Sequence, residues 1–249
     1  GWDRDAVAVT GTLGKNVERL EFTRDADLTV VEVVYPSDRA NSGASDLVIR
    51  VPVGSALEVK GVSADIEVSG VSGRQRLRSV SGDVRTELFA ADVEAETVSG
   101  DVFATGHDAQ GHTSLTTVSG RIETTAVSGE LDASTVSGGI DAETGLLDRG
   151  RLKTTNGQIT LDGGLASGGR LDLATTNGGI ELMLDHDRDL DVDAQTFNGK
   201  IDNCFGQVPE RSRYTPERTL QFREGAANRT IRIRTMNGPI EICSEARSE

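Results

Sequence analysis

The chain has 249 residues and a formal net charge of −14 at pH 7, and only 4% of its residues are aromatic. Because nucleic acids and anionic membrane surfaces are bound by clustered lysine and arginine, this acidic balance argues against both partners. The 29 glycines and the mainly aliphatic apolar residues are typical of many short strands joined by turns, and they argue against a core of large rings.

Residues 1–57 alternate apolar and polar side chains, as in AVAVTGTL and DLVIRVPVG. Alternation with period two is the pattern of a β-strand. We predict that residues 1–57 form an N-terminal β-strand cap, continuous with the repeats and covering their first edge. No leader peptide and no apolar run of the roughly 20 residues needed to span a bilayer is visible. A chain from which an export signal has been removed would begin this way, and so would a cytosolic protein.

From residue 58 to 249 the chain repeats one phrase: Ser or Thr, any residue, Ser or Asn, Gly, any residue, and an aliphatic residue. The copies recur most often at a whole unit of roughly 20 residues, and some recur at about half that spacing. Ala64 holds the glycine slot of GVSADIEV at the start of the series. The glycine falls at ten positions: Gly73, Gly82, Gly100, Gly120, Gly129, Gly138, Gly157, Gly178, Gly199 and Gly238.

The fixed period predicts an all-β fold, a right-handed parallel β-solenoid with about 20 residues per coil. A meander of hairpins would reverse the strand direction between like positions, whereas stacked coils give every copy the same environment. We therefore interpret each glycine as a structural turn, with a positive φ at the bend. Threonines and Ser or Asn residues should stack in ladders along the axis. The repeats and the N-terminal cap would form one structural domain.

The long interval between Gly199 and Gly238 holds QVPERSRYTPER at 207–218. This segment is either an insertion loop on one coil or a degenerate extra coil. The strands TLQF and TIRIR that follow could form a C-terminal capping hairpin or one more pair of rungs.

Cys204 and Cys243 each stand five residues after a repeat glycine, so they hold the same slot. If one coil with an insertion separates them, their Cα atoms lie about 5 Å apart, within disulfide range. If two coils intervene, the distance is about 9–10 Å and no bond forms. We predict the disulfide, and with it an oxidising location. The alternative is two thiols in a reducing compartment.

The copies TVSGDV at 97–102, SVSGDV at 79–84 and TVSGRI at 117–122, with TFNGKID and TMNGPIEI later, resemble a bacterial adhesin-like family, domain of unknown function 4097. The resemblance runs from about residue 20 to the C-terminus. It implies an extracytoplasmic β-solenoid, in the periplasm or at the cell surface, that is anchored at or released from the envelope. It brings no catalytic residues.

Other candidate sites have simpler interpretations. The histidines His107, His112 and His186 match no zinc pattern. A threonine array could order water as ice-binding proteins do, but a single file is explained by β-propensity. Alternating aspartates suggest a calcium loop, but that loop's glycine and terminal glutamate are missing, so we read them as the wet face of a strand. They are Asp185, Asp187, Asp189, Asp191 and Asp193.

The sequence predicts a non-enzymatic scaffold or binding protein of the cell envelope, with no catalytic residues, no cofactor and no metal. Its partner would be a glycan or an envelope surface protein, and the protein would be a monomer or a weak oligomer through strand edges. Two alternatives stay open. One is a carbohydrate-active β-helix enzyme, a polysaccharide lyase or hydrolase, and the other is an envelope sensing or assembly module acting through protein contacts.

Overall fold

The structure is a computed structural model that describes residues 1–36, 43–107, 110–185 and 189–244. It divides into two compact units, Gly1–Ser55 and Ala56–Glu249. The described residues form strands and turns and contain no α-helix.

The first unit contains four strands in two antiparallel pairs. Strand β1 pairs with β4, and β2 pairs with β3. That this unit caps the repeats stays a prediction. The strands are β1 (Ala8–Thr12), β2 (Arg19–Asp25), β3 (Leu28–Val34) and β4 (Asp46–Arg50).

The second unit holds the repeats and consists of seventeen strands in one sheet. They are β5 (Leu57–Lys60), β6 (Ile66–Val68), β7 (Gln75–Arg78), β8 (Val84–Leu88), β9 (Val93–Glu96), β10 (Val102–Gly106), β11 (His112–Thr116), β12 (Ile122–Ser134), β13 (Ile140–Lys153), β14 (Ile159–Asn177), β15 (Ile180–Leu184), β16 (Leu190–Asn198), β17 (Ile201–Asn203), β18 (Glu210–Arg211), β19 (Arg218–Arg223), β20 (Arg229–Asn237) and β21 (Ile240–Ser244).

Like strands of successive coils pair in parallel, which confirms the predicted β-solenoid with about 20 residues per coil. On one side, which we name the first face, β5 pairs with β7, β7 with β9, β9 with β11, and β11 with the end of β12. On the second face, β6 pairs with β8, β8 with β10, and β10 with the start of β12. Strands β12, β13 and β14 are long enough to contribute to both faces.

The core lies between the two faces and follows from the alternation of each strand. Val84, Val102, Ile122 and Ile140 stack from the second face at 0% exposure, and Leu77 and Leu115 face them from the first. A β-branched or leucine side chain on every coil fills the same interior position, so the apolar surface of one coil is closed by its neighbours.

The C-terminal coil lies out of chain order. Strand β20 pairs in parallel with both β14 and β16, and β21 pairs in parallel with both β15 and β17. The last coil of the sequence, residues 229–244, therefore lies between the coil of β14–β15 and the coil of β16–β17. Strand β19 runs antiparallel along the other side of β16.

Residues 207–218 contain strand β18, which pairs antiparallel with β19. That the segment is an insertion loop on one coil stays a prediction. TLQF and TIRIR do not form a hairpin with each other, because β19 and β20 lie on opposite sides of β16.

Candidate functional site

The repeated phrase forms one of the two corners of each coil, where the chain passes from the first face to the second. We name this the glycine corner, and the return passage the far corner. Eight of the ten repeat glycines lie at the glycine corner, whereas Gly73, between β6 and β7, and Gly129, within β12, lie at the far corner.

The threonine of the phrase points inward. Thr97, Thr117 and Thr135 are at most 3% exposed, and each hydroxyl donates a hydrogen bond of 2.9–3.0 Å to the glycine carbonyl of the preceding coil. The same bond recurs from Thr154, Thr175, Thr235 and Thr196. These threonines therefore form hydrogen bonds between coils, and their side chains do not face water.

The glycine is required by close approach. A Cβ built on Gly120 would lie 1.9 Å from the carbonyl oxygen of Gly100, and one on Gly138 would lie 1.8 Å from that of Gly120. The predicted positive φ is wrong for most of the ten, since outside Gly129 and Gly238 the φ angle is not positive.

At the far corner the same residues have a different conformation and a different exposure to solvent. In AVSG at 126–129, Val127 is 1% exposed and Gly129 has a φ of 84°. In the neighbouring TVSG copies, Val118 and Val136 are 41% and 45% exposed. The prediction that every copy has the same environment is therefore wrong for the two copies at the far corner, where Val71 and Val127 are buried.

The second residue of the phrase forms an exposed apolar file, which we name the valine ridge: Val62, Val80, Val98, Val118 and Val136. All five are more than 40% exposed. Each valine carbonyl accepts a hydrogen bond of 2.8–2.9 Å from the Ser or Asn of the next coil, which holds the ridge in register. Thr155 and Thr176 continue the file, followed in spatial order by the exposed Met236 and Phe197.

Asparagines flank the later part of this file. The amide of Asn177 donates to Asn156 at 2.8 Å, Asn237 donates to Asn177 at 2.8 Å, and Asn198 donates to Asn237 at 2.9 Å. The ladder follows the spatial order of the coils. Asn237, the last of these asparagines in the sequence, therefore lies between Asn177 and Asn198.

Charged side chains on the first face pair between coils. Arg76 Nε lies 2.7 Å from Glu94 Oε2, and Arg78 Nε lies 2.9 Å from Glu96 Oε2. The hydrogen bond from Arg76 is the main cause that lowers the pKa of Glu94, and burial opposes it. Arg76 and Glu94 line a shallow surface depression of about 280 Å³. The pairing with Arg76 therefore favours the ionised form of Glu94.

Aspartates beside the glycine corner are also used within the stack. Asp65 Oδ1 accepts the N–H of Asp83, Asp83 accepts that of Asp101, and Asp101 accepts that of Arg121, at 2.7–3.0 Å. These carboxylates bond the backbone of the next coil, so they do not converge on an open groove.

The structure joins Cys204 and Cys243 by a disulfide, with their Cα atoms 4.9 Å apart. The backbone N–H of Cys204 donates to the Ile242 carbonyl at 3.1 Å, which places the two cysteines on adjacent coils. The bond therefore connects the C-terminal coil of β20–β21, which we name the inserted coil, to the coil of β16–β17.

The alternating aspartates lie in and around β16. Asp191 Oδ1 is 3.2 Å from Arg223 Nε, Asp193 accepts a hydrogen bond from Gln221, and Asp189 accepts the N–H of Ala226 at 2.6 Å. Asp185 follows β15, and Asp187 lies outside the described residues.

Two histidines have separate surroundings. The His107 ring stacks on Phe89 at 5.2 Å, and His112 Nδ1 lies 3.4 Å from Glu130 Oε2. His186 lies outside the described residues. In the part of the chain that the structure describes, no group of three or more His, Cys, Asp or Glu is arranged to hold a metal ion.

The fold and the glycine corner define a class of protein, a parallel β-solenoid whose coils are joined by threonine bonds and glycine contacts. Within this class, the family model Toastrack DUF4097 matches residues 39–243, and the chain belongs to that family. No curated protein and no solved structure matches the chain. No helix among the described residues is long and apolar enough to cross a membrane.

Proposed function

We propose that the protein is a non-enzymatic, extracytoplasmic scaffold of the cell envelope, adhesin-like in its use, that binds an envelope surface protein along the valine ridge. The ridge is the observation that carries this proposal. Five exposed valines at the coil spacing of about 4.8 Å form an apolar line about 19 Å long. Contiguous apolar surface on a soluble protein marks an interaction site.

The ridge is aliphatic, which favours a protein partner over a glycan. Protein interfaces have apolar centres with polar rims, and the exposed Ser99 and Ser119 supply a polar rim beside Val98 and Val118. The backbone of the ridge is held by bonds between coils, so little conformational freedom is lost on binding.

The disulfide supports an extracytoplasmic location. Such bonds persist in oxidising compartments and are rare where thioredoxin and glutathione keep thiols reduced.

The charged groups of the first face support a non-enzymatic role. A general acid or base needs a pKa near the working pH, reached through burial or like charge. The pairing with Arg76 moves the pKa of Glu94 away from that range. No specific observation favours the carbohydrate-active alternative.

The test is binding of the purified protein to envelope fractions before and after the ridge is made polar. The variant Val80→Thr/Val98→Thr/Val118→Thr replaces three ridge valines by threonine. Threonine already occupies the same file at Thr155 and Thr176, so the fold should accept it. We expect saturable binding by the wild type and a loss of at least about tenfold for the variant, because each apolar anchor contributes about 1 kcal/mol.

The matched control is Glu123→Thr/Asp141→Thr on the second face, where Thr160 follows in the same file. It should bind as the wild type does. Equal losses in both variants, or release of reducing ends from a glycan panel, would contradict the proposal. Protease treatment of the fractions separates a protein partner from a glycan.

A further inference from the structure

The inserted coil of β20–β21 fits a slot whose two walls are made by earlier parts of the chain. One wall is β14–β15 and the other is β16–β17. The pairing with β14 runs from Arg170↔Thr230 to Asn177↔Asn237, and the pairing with β16 runs from Leu190↔Arg229 to Asn198↔Asn237. The coil is therefore bonded on both sides, as a coil in the middle of the stack is.

The corner contacts of the slot are complete as well. Thr235 donates to the Gly178 carbonyl at 3.0 Å, and Thr196 donates to the Gly238 carbonyl at 2.9 Å. One contact is particular to this coil: the Pro239 ring lies 3.4–3.5 Å from the position that a Cβ on Gly179 would take. This is an ordinary van der Waals distance, so the ring packs beside Gly179 without a clash.

The chain reaches the slot through a strap, residues 224–228, that leads from β19 on one side of β16 to β20 on the other. Within the strap, Gly225 has a φ of 59° and Ala227 a φ of 50°. For alanine this is a conformation that L residues seldom adopt. The strap is held to the start of β16 by Asp189, which accepts the Ala226 N–H. An extended strap would release the strained alanine.

The disulfide is the one covalent bond between the inserted coil and its outer wall. Cys243 lies in β21, one residue after Ile242, which pairs with Asn203 at the end of β17, so Cys243 is level with Cys204. While it is closed, the coil cannot leave its own chain's slot.

We propose that this slot is a strand-exchange interface for a second copy of the same chain. When Cys204 and Cys243 are not bonded, the strap extends and β20–β21 enters the slot of a second copy, which returns its own. The reciprocal dimer keeps every contact of the slot and relieves the left-handed Ala227, and exchange of an identical element is a low-cost route to a dimer. The occupant is a second copy because the asparagine ladder and the threonine bonds on both walls are formed by this sequence.

Two full-length variants test the exchange directly. Cys204→Ser retains only Cys243, and Cys243→Ser retains only Cys204, so neither can close its own bond. They are mixed, brought briefly to the onset of unfolding, and oxidised with glutathione disulfide, which takes two electrons and two protons from the thiol pair and leaves as two glutathione thiols. Exchange places Cys243 of one variant beside Cys204 of the other.

We expect a covalent heterodimer on non-reducing electrophoresis in at least about tenfold excess over either homodimer, because the slot raises the effective concentration of the matched pair. Random thiol collisions would give only the statistical mixture, and that result would overturn the proposal. So would the absence of covalent dimer when circular dichroism shows both variants folded.

A second measurement avoids the cysteine variants. Wild-type protein is reduced with a dithiol, unfolded and refolded at rising concentration, and its mass is measured by light scattering; dimer should grow with concentration, and only monomer would contradict exchange.

Matched substitutions at two left-handed alanines locate the strain. Ala227→Gly relaxes the strap and should lower the dimer fraction about fivefold. Ala126→Gly makes the same change at a φ of 54° in β12, away from the strap, and should leave that fraction unchanged. Equal effects would show that the strap does not drive exchange.

Discussion

The middle of the stack and its C-terminal end are built from the same contacts in a different order. From β7 to β15 the coils lie in space as they lie in sequence, whereas beyond β15 the last coil precedes the one before it. Yet Thr117 and Thr235 make the same bond to a glycine carbonyl of the neighbouring coil. The repeated contacts therefore specify how two coils stack, and they do not specify which coil comes next.

The order of the coils at the C-terminal end must come from features that the middle of the stack lacks. The strap, the antiparallel strand β19 and the disulfide are found there. In a repeat protein, stability is roughly a sum of nearest-neighbour terms, so two orders with the same neighbours differ little in energy. Small local features are then sufficient to choose between them.

The largest expected effect tests whether both regions depend on glycine equally. Gly138→Ala and Gly238→Ala would each place a Cβ within 1.9 Å of a carbonyl of the adjacent coil. We expect each to lower the free energy of unfolding by about 4 kcal/mol, since backbone must move. Urea unfolding measures this, with Gly54→Ala, where no atom lies within 4 Å, as the control. A much smaller loss at Gly238 would show that the end coil yields more easily.

Removal of the disulfide should affect the end alone. Cys204→Ser/Cys243→Ser opens a crosslink over 39 residues and should cost about 3 kcal/mol. Hydrogen exchange should quicken for amides in residues 229–244 and stay unchanged in β13. Equally faster hydrogen exchange in both segments would show that the disulfide does not stabilise the C-terminal end alone.

One substitution should have opposite signs at two buried threonines. Thr117→Val removes the bond to the Gly100 carbonyl and should cost about 1 kcal/mol. The hydroxyl of Thr124 is buried without a hydrogen-bond partner, so Thr124→Val should stabilise by up to about 1 kcal/mol. Thermal unfolding of both variants measures the difference. Destabilisation by both would mean that valine is poorly packed in either position.

The smallest effect is that of pH on the ion pairs of the first face. The pKa of Glu94 is lowered by Arg76 in the folded protein, so the pair stabilises above the unfolded pKa of about 4.3, and this is lost as pH falls through the folded value. Glu94→Gln should cost less than about 1 kcal/mol at pH 7, and the cost should shrink as the pH falls below the unfolded pKa. A cost that does not shrink on acidification would point to packing.

The sequence predicts the solenoid because period two and a period near 20 each have one structural meaning. The sequence identifies the file of threonines. It does not show whether a side chain such as that of Thr97 points into the core or to solvent, because this depends on which side of the bend faces the core. It cannot separate Val127 from Val118, since the triplet VSG is identical and only the corner differs. The inserted coil is hidden for a related reason: Asn237 fits beside Asn177 as well as Asn198 would, so the long interval between Gly199 and Gly238 is the only sign of it.

Ala64 has a consequence for the end of the molecule where the stack begins. Each glycine of the corner lies against the carbonyl of the coil before it, from Gly82 on Ala64 to Gly178 on Gly157. Ala64 occupies the same slot in the first coil and carries a methyl group there. A coil from another molecule, stacking in register on this edge, would bring its carbonyl against that methyl carbon, closer than van der Waals contact allows. Open β-edges promote fibre growth, so an alanine in this position would disfavour in-register stacking of a second solenoid, independently of the predicted N-terminal cap.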